Sequence, residues 1–294
     1  MFQVFPLILE KGQTLLMHIK NILVPVDFSA CSKNALLEAI NLAKKVNAKI
    51  HMVNAVHVHT PHANYSSAAI IDTLFADYDA QVKQSFRELE TEIIELNDVP
   101  HEADRFLTYL TDAIQAELQS KNIDLIIMGT RKRHDSIDHF IGTNATDVIQ
   151  STSVPVIIIP ESSQIEKVSK IALATDLKKI SNIGNMDILA TLATVYHAEV
   201  LVFHVEEPPF EISKEDEKQM AEIQDKLKDV PSSVRTCEAK DVEEGIKDFV
   251  QRHDIDLLAI IPRRHNLFER LFNKSLTKTI ALDPEIPLLA FHDL

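Results

Sequence analysis

The sequence contains little of several residue types that mark whole classes of protein. It has no tryptophan, five glycines and two cysteines among 294 residues. The cysteines, Cys31 and Cys237, lie far apart, so we expect reduced thiols in a cytoplasmic protein rather than a disulfide framework. Nothing approaches the roughly 18 consecutive apolar residues of a membrane-spanning helix. The apolar content of 45% is that of a globular protein.

Basic residues are also in the minority. The chain has 30 lysines and arginines against 44 aspartates and glutamates, which gives a formal net charge of −14. Nucleic-acid-binding surfaces show as basic patches, so this composition argues against that function class. The main local exception is Arg131-Lys132-Arg133, which we interpret as a loop that faces a small anion. A solvated loop without ligand contacts is the alternative for Arg131 and Arg133.

The first 17 residues precede the domain pattern. Residues 4–9 are apolar, but no basic segment precedes them and no small-residue cleavage site follows, so we do not predict a signal peptide. We expect residues 1–17 to be a disordered extension, or the product of a start codon assigned too early. The rest of the chain suits two domains of about 100–150 residues, which we place at 18–162 and 168–294.

The chain contains an internal repeat. Residues 21–27 (NILVPVD) recur as residues 170–176 (KIALATD), at an offset of 149. Residues 123–128 recur as residues 255–260 at an offset of 132, and no gap is needed from there to the end of each half. The change of offset means that the first half carries roughly 18 extra residues in its middle.

Short apolar runs alternate with amphipathic stretches in each half. Runs that are apolar on consecutive positions predict parallel strands buried on both faces, and in the first half they are residues 22–26, 50–56, 102–107, 125–128 and 156–159. Helices are predicted from Ser32, with an apolar face, and over residues 72–96, 111–119 and 144–150. The second half repeats the plan, with a helix start at Ser181 and strands near Ile171, Val200, Val234, Leu257 and Leu288. The order βαβαβαβαβ predicts an α/β fold of two tandem, doubly wound, five-stranded parallel sheets.

Several residues of the first half converge at the carboxyl ends of the predicted strands, where doubly wound sheets bind ligands. Asp27 ends the first strand, Gly129 follows the fourth, and Gly142-Thr143 opens the last helix. Glycines permit close backbone approach to an anion, and a helix N-terminus capped by Thr143 offers free N–H groups to a phosphate. Asp27 either accepts hydrogen bonds from ribose hydroxyls or caps the adjacent helix.

This loop resembles that of the universal stress proteins. Nucleotide-binding members of the family carry Gly-x-x-Gly, nine residues, and then Gly-Ser/Thr after the fourth strand. Gly129 fits the first glycine, Gly142-Thr143 fits the closing pair, and Lys132 stands at the middle glycine position. The lysine either fills the phosphate space or contacts a phosphate through its ammonium group.

Two strands extend the resemblance over both halves. Val24-Pro25-Val26-Asp27 is similar to the family's first strand, whose aspartate contacts ribose or adenine, and Val154-Pro155-Val156 to the last strand, which pairs across a dimer axis. The resemblance implies an adenine nucleotide alpha hydrolase-like, Rossmann-like fold and a cytoplasmic stress-response sensor or switch. It implies ATP or AMP as ligand, with Mg²⁺ as an optional companion. The implied site residues are Pro25, Asp27, Val53, Met128, Gly129, Arg131, Lys132, Gly142, Thr143 and Asn144.

The second half departs from this pattern. The 132 offset aligns Gly129 with Ile261, Lys132 with Arg264, and Gly142-Thr143 with Lys274-Ser275. We expect a positive φ at the first of these positions, which a β-branched residue resists. The second half is therefore predicted to have a degenerate loop, to bind no nucleotide and to stabilise the pair.

Other residues have both a functional and a structural interpretation. His57, His59 and His62 could hold zinc, but no carboxylate or cysteine is in register with them. We expect a His-rich loop near the mouth of the pocket and no metal site. Cys31 is expected to be a half-buried, inert thiol rather than one with a lowered pKa.

The rival function is a scaffold that binds no nucleotide, in which the two halves form a pseudo-dimer and recruit a protein partner. Apolar edge strands at residues 154–159 and 286–291 need partners and can pair with each other within one chain, while a further homodimer stays open. No Ser-His-Asp order, paired carboxylates or Walker-type loop is present, so no enzymatic activity is predicted. A third, less favoured function class is a nucleotide-consuming enzyme such as an adenylyl transferase.

Overall fold

The computed structural model shows two halves of similar architecture. The described residues are 19–57, 68–130, 143–165, 167–177, 180, 184, 186–206, 213–261 and 286–291. The extension predicted for residues 1–17 lies outside them. None of the helices in these ranges combines the length and the apolar character needed to cross a membrane.

The first half contains five strands and four α-helices within its described residues. Its strands are β1 (Asn21–Pro25), β2 (Lys49–Ala55), β3 (His101–Phe106), β4 (Leu125–Thr130) and β5 (Val156–Pro160). Its helices are α1 (Ala30–Val46), α2 (Ala68–Glu92), α3 (Leu110–Ser120) and α4 (Thr143–Ser151), and a 3-10 helix at Ile94–Asp98 follows α2. All five predicted strands are confirmed, with ends that agree to within two residues.

The second half repeats this order. Its strands are β6 (Lys170–Ala174), β7 (Glu199–Glu206), β8 (Ser232–Glu238), β9 (Leu257–Ile260) and β10 (Leu288–Ala290). Its described helices are α5 (Met186–Tyr196), α6 (Lys214–Lys226) and α7 (Val242–His253). The five strands predicted here are confirmed as well. The helix start predicted at Ser181 lies outside the described residues.

Several predicted helix ends were wrong, among them the start of α2, which lies at Ala68 rather than at residue 72. Helix α1 begins at Ala30 rather than at Ser32, because Ser29 has the extended backbone of an N-cap and its Oγ accepts the Ser32 N–H at 3.3 Å. Helix α2 ends at Glu92 rather than at residue 96, where the chain tightens into the 3-10 helix. Thr143 is the first residue of α4 rather than the residue before it.

The ten strands of the described residues form one sheet in the order β3-β2-β1-β4-β5-β10-β9-β6-β7-β8. Pairing is parallel within each half. The halves meet where β5 and β10 pair antiparallel, with Leu288 opposite Ile158 and Ala290 opposite Val156. This confirms that the apolar edge strands pair with each other within one chain. In each half the strand order reverses beside the first strand, so the connections that leave the carboxyl ends there go to opposite faces of the sheet.

Two apolar layers, one on each face of the sheet, run through both halves. On one face Ile157 of β5 lies in the same buried cluster as Leu289 of β10. On the other face Ile158 and Leu288 share a second cluster. The apolar face predicted for α1 is buried in the first of these layers and consists of Leu36, Ala39, Ile40, Ala43 and Val46. Because both layers cross the β5–β10 pair, the halves share their cores.

One aspartate in each half fixes the start of the central strand. Asp124 Oδ2 accepts hydrogen bonds from the backbone N–H groups of Lys20 and Asn21, at 2.8 and 2.9 Å. Asp256 Oδ2 accepts from Lys170 at 3.0 Å and from the residue before it at 2.8 Å. Each carboxylate thus satisfies two backbone donors, which gives a structural reason for the Ile-Asp-Leu sequence in both copies of the repeat.

Candidate functional site

A cavity of about 420 Å³ lies at the carboxyl ends of β1, β2 and β4, where the strand order of the first half reverses. We call it the first-half cavity. Seven of the predicted site residues line it: Pro25, Asp27, Val53, Met128, Gly129, Thr143 and Asn144. The other three, Arg131, Lys132 and Gly142, lie outside the described residues. The sheet and the starts of α1, α3 and α4 thus bring together residues that are more than 100 positions apart in sequence.

Asp27 holds the start of helix α1. Its Oδ1 accepts hydrogen bonds from the backbone N–H of Ser29 at 3.0 Å and from Ser29 Oγ at 2.5 Å. The backbone N–H of Asp27 donates to Ser32 Oγ at 3.3 Å. Asp27 therefore holds the turn before α1, and the N-cap of the helix is Ser29. The carboxylate of Asp27 is also exposed at the cavity, and contact with ribose stays a prediction.

The turn between β1 and α1 is strained. Phe28 has φ 63°, in the left-handed region that costs a residue with a Cβ atom about 1 kcal/mol or more. Its ring packs edge-on against Phe86 of α2, with centroids 5.1 Å apart. Burying the ring offsets the strain, and the turn places both Asp27 and the N-terminus of α1 at the cavity.

Gly129 is required by packing rather than by its backbone angles. It lies within β4, and its φ is outside the left-handed region, so the expected positive φ was wrong. A Cβ atom here would lie 2.4 Å from the carbonyl oxygen of Cys31 and 2.7 Å from its carbonyl carbon. Only glycine lets the first turn of α1 approach β4 this closely. Cys31 itself is 5% exposed, which is more buried than expected.

Sequence reasoning missed the hydroxyl groups of the site. Ser29, Ser32 and Thr130 also line the first-half cavity. The first two follow Asp27 at the spacing of a capping turn, and that spacing was the signal that could have found them. Thr130 is buried at the end of β4 and carries no such local signal.

Buried hydrogen bonds hold the carboxyl ends of three strands together beneath the site. Asn54 Nδ2 donates to the carbonyl of Val26 at 2.7 Å. Tyr78 Oη, on α2, lies 2.9 Å from both Asn54 Oδ1 and the carbonyl of Phe106. Burial raises the pKa of Tyr78, so the phenol stays protonated as a donor. This network fixes the edge of the sheet on which the cavity is built.

The histidine-rich segment gives no metal centre in the part of the chain that the structure describes. His57 stacks on Tyr109, with ring centroids 3.7 Å apart and planes 15° apart. His59 and His62 lie outside the described residues. Within the described ranges, no three side chains of His, Cys, Asp or Glu lie close enough to hold a metal ion.

Larger side chains are found at corresponding positions of the second half, within its described residues. Ile261, aligned with Gly129, is 9% exposed and lies in the same apolar layer as Ile180, which aligns with Cys31. The strand registers align Phe203 with Val53, and Phe203 is fully buried. Larger side chains thus occupy positions that line the cavity in the first half. The aligned residues Arg264 and Lys274-Ser275 lie outside the described residues.

Comparison with known proteins agrees with this architecture. The model of the universal stress protein family matches residues 18–160. Universal stress protein A homolog 1 of Coxiella burnetii (strain RSA 493 / Nine Mile phase I) is 27% identical over 144 residues, which cover 49% of this chain and 97% of that protein.

Solved structures extend the similarity to both halves. A universal stress protein from Archaeoglobus fulgidus DSM 4304 has a TM-score of 0.70 at 16% identity, covering 93% of this chain and 98% of that one. A protein from Pseudomonas aeruginosa UCBPP-PA14, provisionally assigned to the same family, has a TM-score of 0.59 at 16% identity, covering 95% of each chain. These likenesses show the fold of the whole chain. Residues 18–160, just under half of the chain, thus match the universal stress protein family.

Proposed function

We propose that the first half binds an adenine nucleotide, ATP or AMP, in the first-half cavity and acts as a sensor or switch in a stress response. One observation carries the proposal: seven residues that the family resemblance implies as ligands come from separate segments and line one space. Its volume of about 420 Å³ falls within the range of small-molecule sites, roughly 300–1,000 Å³.

The lining of the cavity divides chemically in a way that suits a nucleotide. Pro25, Val53 and Met128 supply apolar surface for a flat base. Asp27 presents an exposed carboxylate to ribose hydroxyls. Thr143 marks the start of α4, where backbone N–H groups and the positive end of the helix dipole favour a phosphate. The cavity thus has one surface suited to the base, one suited to the ribose and one suited to the phosphates.

A phosphate bound to a chain of net charge −14 needs local cations. In this proposal Arg131 and Lys132 meet the phosphates, Gly142 lets the backbone approach them, and Mg²⁺ accompanies ATP. In sequence these residues lie between β4 and α4, and residues of both elements line the cavity. Charge-assisted hydrogen bonds to phosphate are strong, which accommodates a lysine at the family's middle glycine position.

We also propose a division of roles between a binding domain at residues 18–162 and a second domain at residues 168–294 that binds no nucleotide. Burial of Ile261 where the first half has its glycine supports this division. We propose that the nucleotide is bound without turnover, because no nucleophile is identified. The proposed location of the protein is the cytoplasm. The rival function is a scaffold that recruits a protein partner, and the β5–β10 pair supplies the pseudo-dimer on which it depends.

The first test is purification of the full chain without added nucleotide, followed by mass spectrometry and ultraviolet absorbance of the released ligand. The protein has no tryptophan and four tyrosines, so bound adenine would dominate the spectrum. We expect co-purified adenine nucleotide and a rise in melting temperature with ATP–Mg²⁺, since a ligand of the native state stabilises it. If neither is found, the sensor function is wrong and the scaffold stands. Steady conversion of ATP to ADP would favour an enzyme instead.

A matched pair of variants locates the site. Gly142→Leu places a bulky side chain on the proposed phosphate-binding surface, and Lys274→Leu places the same side chain at the aligned position of the second half. Calorimetric titration with ATP should show loss of binding in the first variant and wild-type affinity in the second. Binding that survives in Gly142→Leu would show that the phosphate site is misplaced.

A further inference from the structure

Tyr109 breaks a local rule of helix formation. It is the N-cap residue of α3, with extended backbone at φ −66° and ψ 150°, and its side chain makes no capping hydrogen bond. N-cap positions favour Ser, Thr, Asp and Asn because their oxygens accept from the first free N–H groups. The aligned residue of the second half obeys the rule: Asp241 caps α7, accepting the Glu244 N–H at 2.9 Å. The first half has an aromatic ring in place of this cap.

The ring of Tyr109 is exposed and is not used for packing. It is 54% exposed and belongs to neither apolar layer of the described residues, although its neighbour Leu110 packs against one. Its described ring contact is the face-to-face stack with His57, whose centroid is 3.7 Å away. The imidazole covers one face of the ring, while 54% of the surface of Tyr109 remains exposed.

The stacked pair lies close in sequence to residues that line the first-half cavity. Side chains alternate along a strand, so His57 continues the row of Val53 and Ala55, which both line the cavity. The ladder persists to this point, because the Val56 N–H donates to the carbonyl of the last residue of β3 at 3.0 Å. On the other side Leu110, next to Tyr109, also lines the cavity. We infer that the pair lies beside the cavity on its β2 side.

We propose that Tyr109, backed by His57, is a stacking platform for the nucleotide base and gives the site a preference for purines over pyrimidines. This inference rests on the proposed function. Aromatic faces stack on bases of any sequence, and a two-ring purine overlaps a tyrosine ring more than a one-ring pyrimidine does. The platform explains why the first half has an uncapped helix and an exposed ring where the second half has an aspartate cap.

The experiment compares ATP and CTP affinities of three variants of the full chain by calorimetry. Tyr109→Ser removes the ring but supplies an uncharged N-cap, so its melting temperature should equal or exceed that of the wild type. We expect it to lose roughly ten-fold in ATP affinity with little change for CTP. Tyr109→Phe should keep wild-type affinities. Ile94→Ser removes another exposed apolar side chain, 67% exposed and before the start of β3, and should change neither affinity.

The outcomes separate this inference from the proposed function. Wild-type ATP affinity in Tyr109→Ser, or an equal loss for ATP and CTP, overturns the platform while nucleotide binding stands. Failure of the wild-type chain to bind ATP overturns both. A saturation-transfer NMR experiment gives a direct readout, because tyrosine ring protons should transfer saturation to the purine base. That transfer should fall in Tyr109→Ser and persist in Ile94→Ser.

Discussion

At the carboxyl edge of the sheet the two halves share a backbone and differ in side-chain volume. Phe28 and Leu177 both have positive φ, 63° and 56°, directly after the aligned aspartates. Yet Val53 is replaced by the fully buried Phe203, and the glycine of β4 by a buried isoleucine. The same turn can therefore border a cavity or a packed core.

In the second half, a larger side chain on β7 is accompanied by a smaller residue on α7. Val205 on β7 aligns with Ala55 of the cavity lining, and Gly245 on α7 aligns with Ala113 on α3. A Cβ atom on Gly245 would lie 2.5 and 2.8 Å from the two methyl groups of Val205. Two alanines in one half thus correspond to a valine and a glycine in the other. Interiors packed to crystal density require such exchanges.

The largest effect on this comparison is expected from Gly129→Ile, which gives the first half the residue that the second half has at the aligned position 261. Even its Cβ would overlap the backbone carbonyl of Cys31, so the start of α1 must move. We expect a loss of about 3 kcal/mol in the free energy of unfolding, at the upper end for overpacking, together with loss of nucleotide binding. Urea unfolding and calorimetry would measure the two effects.

Gly129→Ala is the control for this change, because it has the same Cβ clash without the longer side chain. It should lose less stability than Gly129→Ile and still bind ATP more weakly than the wild type. If both variants unfold at the wild-type urea concentration, the close approach of α1 to β4 is not what requires glycine.

The elements of this fold were predictable because their signals are local. Strands buried on both faces are apolar on consecutive positions, as residues 22–26 and 156–159 are, so their existence and type could be inferred without knowing their neighbours. Asp27, Gly129 and Thr143 could be placed together because each was predicted to end or follow a strand or to begin a helix in a doubly wound order. The other four predicted lining residues were implied by the family resemblance. The pairing of β5 with β10 followed from two apolar edges that each needed a partner.

What the sequence could not provide depends on distances between elements. Nothing near Gly129 in sequence shows that Cys31 approaches it, so its requirement was assigned to a positive φ. Ser29 and Ser32 are both plausible caps, and only the backbone angles decide between them. Tyr109 gives no signal until α3 is seen to begin after it without a cap. The first of these misses reflects a contact between distant residues, and the other two depend on where a helix begins.

A mutant cycle on Val205 and Gly245 tests the exchange of volume in the second half. Val205→Ala leaves a cavity and Gly245→Ala adds a clash, so each single variant should lose about 1–2 kcal/mol of unfolding free energy. The double variant restores the pairing of two alanines that the first half uses. It should be less destabilised than the sum of the singles by about 1 kcal/mol in urea unfolding. Simple additivity would show that the two positions are not coupled.

The halves also differ in charge on the sheet face that α3 and α7 cover. In the first half Lys121 Nζ lies 2.7 Å from Glu102 Oε1, 2.6 Å from Asp104 Oδ2 and 2.7 Å from Glu117 Oε2. Buried His51 joins this network, with Nδ1 2.8 Å from Glu102 Oε1. The positions of Glu117 and Lys121 are aromatic in the second half, as Phe249 and His253, with ring centroids 4.3 Å apart. An ionic network and an aromatic pair thus occupy equivalent places.

The smallest expected effect comes from acid acting on the ionic network alone. Hydrogen bonds from Lys121 and then Lys49 lower the pKa of Glu102 from 4.5 to about 2, and burial lowers the pKa of His51 although Glu102 opposes it. Both groups bind more protons when unfolded, so their stabilisation is present at neutral pH and lost as the pH falls. For half-exposed Glu102 we expect about 1 kcal/mol after solvent screening. Between about pH 7 and pH 3, the free energy of unfolding should therefore change less with pH in Glu102→Gln than in the wild type. The control Glu238→Gln, on β8, should show the wild-type dependence. Equal slopes in both variants would mean that the network contributes nothing to acid sensitivity.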